Sequence, residues 1–240
     1  MTRDELVEAI RREGAALSAA AAHDLDAAVP SCPGWDVRQL VNHLGRVHRW
    51  ATGFVRSGSA EGGAPFPPKP DSVDLDWFAA GVEDLALALE EAEPDQPAWN
   101  FVASAPKQVR FWARRQACET AVHRWDAQTA FGHAEPIETE LALTGVDEIL
   151  DLFLSGRQAD LGGTVHFHAT DSPHGEWIVA VDPSDGLVVG HGHEKGDVAL
   201  RATAGDLLLW LWRRPVGDDR FEVFGDTAVL DRWRDKLQLG

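Results

Sequence analysis

The chain has 240 residues, 44% hydrophobic and 25% charged, with a formal net charge of −17 and only two cysteines. These values describe a globular protein able to bury a sizeable core. They argue against nucleic acid or anionic lipid as a partner, because so acidic a surface repels phosphate. They also exclude a disulfide scaffold, and with it favour a reducing compartment. No apolar run approaches the ~20 residues that span a bilayer, and the polar start MTRDELVEAIRREG does not read as a signal peptide. A cytoplasmic protein is expected.

In chain order, Thr2 and Glu5 form a capping-box pattern, and the Ala-rich stretch behind them predicts a first helix ending before Pro30. Asp36 and Gln39 repeat the pattern at the head of a second helix. Its apolar residues Val37, Leu40, Val41, Leu44, Val47, Ala51, Phe54 and Val55 recur close to a 3.6-residue period. Gly, Pro and Ser make 57–71 a loop. A third helix is expected from Ser72 to Glu93, and a fourth from Lys107 to Phe131 with Gly132 closing it. TELALTGVDEILDLFLS has a fifth helical pattern. Then the period changes. TVHFHAT alternates, EWIVAVD and GLVVGHG flank turn chemistry that predicts a hairpin, and DVALRAT and FEVFG read as further strands. AGDLLLWLWRR and TAVLDRWRDKL read as the last helices. The expected architecture is mainly α: a helical bundle over 1–155, then a small α+β domain over 156–240.

Within the fourth helix, Glu119 and His123 stand four residues apart and share one face. A carboxylate and an imidazole so spaced can grip a metal ion, and bundle-core metal sites take their other ligands from neighbouring helices. The same spacing also suits a solvated pair, with Arg115 bonded to Glu119. Helix two offers His43 and His48 as a third ligand. At ~100° per residue His48 lies nearer the centre of the apolar stripe, so periodicity leans towards it. Cys32 and Cys118 read as small buried hydrophobes rather than nucleophiles, since the carboxylate beside Cys118 would raise a thiol pKa. In the second half, His166 and His168 fall on one strand face, and HGH puts His191 and His193 on one face. That pattern is either a second metal cluster or, as its alternation with Val and Phe favours, the solvent side of a sheet. No nucleophile elbow, P-loop or dinucleotide fingerprint is present.

Three blocks carry a wider resemblance: VPSCPGWDVRQLVNHLGRVHRW, RFWARRQACETAVHRWDAQTA, and GDLLLWLWRR with FEVFGD. Together, in this order and over nearly the whole chain, they resemble the mycothiol-dependent maleylpyruvate isomerase family. The resemblance implies a DinB-like four-helix metalloprotein bundle followed by a sterol-carrier-like α+β domain. It implies a zinc or other divalent metal site at His43, Glu119 and His123, which sets aside the periodicity preference for His48. Asp126, one turn after His123, is then the carboxylate placed to orient an imidazole, and His48 a packing or supporting residue. Cys118 stands where many relatives carry His. The implied activity is that of a mycothiol-dependent isomerase or S-transferase acting on a small electrophile. A dianionic substrate calls for cations. Arg213 and Arg214, at the end of the apolar helix, are the candidates, reaching across from the second domain. The alternative is a non-catalytic ligand-binding module with a structural metal.

Overall fold

The computed structural model describes residues 1–70 and 74–236. The chain divides into two compact units, Met1–Ile137 and Glu138–Gly240.

The first unit holds α1 (Arg3–Ala21), α2 (Val37–Ser57), α3 (Leu75–Glu91) and α4 (Val109–Thr129). Both predicted capping boxes form: Thr2 with Glu5, and Asp36 with Gln39. α1 ends at Ala21, well short of Pro30. The expected helix start at Ser72 lies outside the described residues; within them, Asp74 caps α3 by accepting from the Trp77 N–H. α1 packs on α3 and α4, and α2 on the same two. Ile10, Leu17, Leu40, Leu44, Phe78, Leu85, Leu89 and Trp112 fill the space between them, each less than 2% exposed.

α4 differs from the other three. It is buried on nearly every side, and its polar residues Arg115, Gln116, Thr120, His123, Arg124 and Asp126 are buried with it. An amphipathic helix hides one stripe and keeps its charges in water. A helix that hides its charges must partner each of them inside the protein. The chemistry of the bundle is therefore concentrated along α4.

The loop before α2 is built by its sequence. Cys32-Pro-Gly-Trp35 forms a type II turn: Trp35 N–H donates to Cys32 O at 3.0 Å, Pro33 sits at the second position, and Gly34 takes φ +84° at the third. Val29 N–H to Trp35 O at 2.9 Å and Val37 N–H to Ala27 O at 3.0 Å lock the two arms together.

In the second unit, α5 (Thr139–Asp147) runs into a π-helical segment, Glu148–Leu154, where one continuous α-helix was expected. Ser155 N–H closes it on Leu150 O, five residues back. The break between the units falls ahead of α5, not after residue 155 as the sequence reading placed it, because α5 packs on α6 (Ala204–Leu211). A five-stranded mixed sheet follows the order β3-β2-β1-β4-β5. Its strands are β1 (Val165–Ala169), β2 (Glu176–Asp182), β3 (Gly186–His191), β4 (Val198–Ala202) and β5 (Glu222–Gly225). β1 and β4 are parallel; the other pairs, including the predicted β2–β3 hairpin, are antiparallel. On the core face Phe167 meets Trp210 of α6 and Trp233 of α7 (Thr227–Lys236) at ring distances of 5.9 and 5.1 Å. The predicted last residue of the final helix, Leu237, lies outside the described residues. No described helix is long and apolar enough to cross a membrane.

Candidate metal centre

α2 and α4 bring His43, Glu119 and His123 together. One donor atom from each lies within 4.8 Å of the others. Glu119 Oε1 is 3.5 Å from His43 Nε2 and 3.3 Å from His123 Nε2. Four-coordinate zinc, with bonds of about 2.0–2.1 Å, holds neighbouring ligand atoms roughly 3.3 Å apart. The spacing is therefore that of ligands about one ion.

Proton positions support the same reading. Asp126, fully buried, accepts a hydrogen bond from His123 Nδ1 at 2.9 Å. An ionised carboxylate only accepts, so the ring proton sits on Nδ1 and the Nε2 lone pair faces Glu119. A lone pair and a carboxylate oxygen 3.3 Å apart repel each other unless a cation or a proton stands between them. Arg115, buried beside them, binds the other carboxylate oxygen, Oε2. Oε1 is the oxygen turned towards the two histidines. The residues present thus fit a divalent ion with two nitrogen ligands and one oxygen ligand.

The surroundings of His43 follow from the turn before α2. Trp35, at its end, lies 5.1 Å from the imidazole, and Phe66 of the 58–70 loop lies 6.3 Å away. Arg46 stands over Phe66 and donates to Pro67 O at 2.7 Å, which fixes that loop. Burial lowers the His43 pKa to about 4, helped by electrostatic coupling to His123 and by the charges of Arg46 and Arg115. At neutral pH the ring is unprotonated, as a metal ligand must be.

His48 occupies a different place. Its Nε2 lies 3.0 Å from Thr120 Oγ1, whose own proton goes to Gln116 O at 2.6 Å, so His48 is the donor. Its ring packs on Phe78 at 5.7 Å, and its Nδ1 has no hydrogen-bond partner among the described residues. Burial, with smaller contributions from Arg49, His123 and His43, lowers its pKa to about 3. In the unfolded chain both His43 and His48 titrate near 6.5. Below that value the unfolded state takes up protons that the folded state refuses. The stability contribution is full above about pH 6.5 and is lost as pH falls towards the folded-state values. The urea midpoint of the metal-free protein is expected to fall between pH 7 and 4.5, and to fall less steeply in His48→Leu. Equal slopes would mean that His48 is charged in the folded protein.

Two residues near the site were not apparent from sequence. Cys32 is half-buried and donates to Asp126 Oδ2 at 3.5 Å, so it is not an inert hydrophobe. The type II turn points to it, since Cys32 and Trp35 are its two ends. Arg46 is three residues from His43 on α2, and that spacing alone would have found it. Cys118 is fully buried, as expected. Arg213 and Arg214 belong to the second unit. Arg213, with φ +60°, donates to Arg234 O, and Arg214 donates to Trp212 O at 3.0 Å.

Known proteins place the chain as follows. Residues 6–128 match the profile of the mycothiol maleylpyruvate isomerase N-terminal domain, and residues 140–232 match that of the MDMPI C-terminal domain. Two similar solved structures are those of a mycothiol-dependent maleylpyruvate isomerase and of its histidine-to-alanine variant. Each is 12% identical to this chain, covers 93% of both chains and superposes with a TM-score of 0.59, a likeness of fold. No curated protein sequence matches the chain.

Proposed function

The chain belongs to the mycothiol maleylpyruvate isomerase family, and from that premise we propose that it is a thiol-dependent isomerase whose bundle holds a divalent metal, zinc by its ligand chemistry. The observation that carries the reading is the convergence of His43 Nε2, Glu119 Oε1 and His123 Nε2, with Asp126 holding the proton of His123 on the far nitrogen. The thiol is mycothiol. The substrate is a small anionic cis-alkene conjugated to a carbonyl, of the maleylpyruvate type.

A divalent ion bound there would supply Lewis acidity, under which a coordinated thiol is deprotonated at neutral pH. The protein's own groups do the rest. Asp126 and Arg115 fix the orientation of His123 and Glu119. Trp35 and Phe66 cover the His43 side and limit water there. Arg46 and Arg115, whose charges already press on His43, make the site favourable to a thiolate and to substrate carboxylates. The thiolate adds to one alkene carbon and the π electrons move to the conjugated carbonyl. The former double bond rotates as a single bond. The enolate then re-forms the alkene in its trans geometry and expels the thiolate, so no atom is gained or lost.

The test is a cis–trans isomerisation assay on maleylpyruvate with mycothiol, with other low-molecular-weight thiols and without thiol. Turnover is expected with mycothiol only. Equal turnover without thiol would overturn the reading, as would no turnover with any thiol. A stable thiol adduct as sole product would make the protein a transferase instead.

A further inference from the structure

The sheet of the second unit carries a second cluster of ligand-type side chains, remote in sequence from α2 and α4. β1 alternates, so His166 and His168 share the face opposite Phe167. The antiparallel register sets Glu176 of β2 directly across from His168. His193 joins them by a route that sequence alternation does not give. Simple alternation would put it on the face of His191, as expected above. Gly192, however, takes φ +124° and its N–H bonds Glu176 O at 3.0 Å. The chain bends there and alternation breaks, so His191 lies beside Asp151 while His193 meets Glu176. Few residues other than glycine adopt that conformation.

The cluster lies at the solvent side of the sheet, as the alternation suggested, but its base is sheltered: His166 is only 6% exposed, while His193 is largely exposed. Glu176 Oε2 is 3.1 Å from His166 Nε2 and 2.5 Å from His193 Nδ1, and Glu176 Oε1 is 3.7 Å from His168 Nδ1. One donor atom from each of the four residues lies within 4.8 Å of the others. The three imidazoles stand 5.3–6.5 Å apart with interplanar angles of 69–88°, like blades about a common point. The neighbouring cation on this face, Arg201, is paired with Glu222 at 2.8 Å.

We propose that His166, His168, Glu176 and His193 form a second metal site, for zinc or a divalent ion of the same imidazole-preferring class. Three nitrogen donors and one oxygen donor suit zinc and not magnesium or calcium, which take oxygen ligands. The ligand-atom separations bracket the roughly 3.3 Å of a tetrahedral zinc site. Four protein ligands fill a tetrahedral ion and leave no open position, so the site is structural. It would tie β1, β2 and the chain leaving β3 into one unit.

The experiment counts zinc in the full-length protein after chelator stripping, reloading and desalting. Wild type is expected to hold two equivalents. The His43→Ala/His123→Ala double variant, which lacks the bundle ligands, should keep one, and adding zinc should raise its Tm. His193→Ala in that background should bring zinc below a tenth of an equivalent and abolish the Tm rise. His193 is largely exposed, so its loss leaves the core untouched. Glu176→Gln, nearly isosteric, serves as the second variant. A double variant that holds no zinc would overturn the proposal, as would one equivalent surviving both His193→Ala and Glu176→Gln. If the bundle site alone is wrong, wild type will hold one equivalent, insensitive to the double variant and lost with His193→Ala.

Discussion

Replacing His123 with alanine is expected to remove one equivalent of metal from the protein and to bring thiol-dependent turnover to background. His43→Ala should do the same, while His48→Ala should leave the metal content unchanged. The difference between the two histidines of α2 is geometric. His43 Nε2 faces Glu119 Oε1, whereas His48 gives its Nε2 proton to Thr120. The more discriminating change is Asp126→Asn. The carboxylate holds the His123 proton on Nδ1. An amide that turns its NH2 to the ring would drive that proton to Nε2, the nitrogen that faces Glu119. Loss of a carboxylate that orients a ligand histidine costs about 10–100-fold in metal affinity or activity. Competitive titration with a chelator would measure it. Unchanged affinity in Asp126→Asn, with metal lost in His123→Ala, would show that the ring is oriented by something other than Asp126.

Elements that announce themselves locally are legible in the sequence. Both capping boxes, the 3.6-residue stripe of α2, the turn chemistry of the hairpin and the switch of period all state their structure within a few residues. What the sequence hid depends on partners far along the chain. The helix after residue 138 looks continuous, and nothing local marks its π-helical second half. Its place in the second unit rests on α6, some sixty residues later. In the bundle, Glu119 and His123 were visible as a pair at helical spacing, but spacing left His43 and His48 nearly equivalent. Only the resemblance of the surrounding blocks separated them, and the structure places His43 beside Glu119. Cys32 was misread because thiols are usually buried. Its partner Asp126 sits on α4, 94 residues further along the chain, where nothing local to the turn announces it. His193 was misread because strand alternation fails at a glycine with positive φ.

The largest stability effect is expected from a pair with no sequence signature. Glu13 of α1 accepts from Arg124 Nε at 2.7 Å across 111 residues, with both side chains buried. The same guanidinium holds Gln128 Oε1 at 2.8 Å and the carbonyls of Glu135 and Pro136 at 2.5 and 3.1 Å. Arg124 thus joins α1, α4 and the segment that closes the first unit, one residue from His123. Arg12 also binds Glu13, at 3.0 Å, but it is half exposed and supplies little compensation. Glu13→Ala leaves a buried guanidinium without its counter-charge, and breaking such a pair costs about 3–5 kcal/mol. Urea unfolding should show the loss as a lower midpoint at unchanged slope. Glu13→Gln, which keeps an acceptor, should lose less. If the cost lies in the unpaired charge, Arg124→Leu made on top of Glu13→Ala will add little or recover part of the loss. If Arg124 matters chiefly through the 135–136 carbonyls, the second change will cost as much in the Glu13→Ala background as it does alone. The double-mutant cycle separates these accounts.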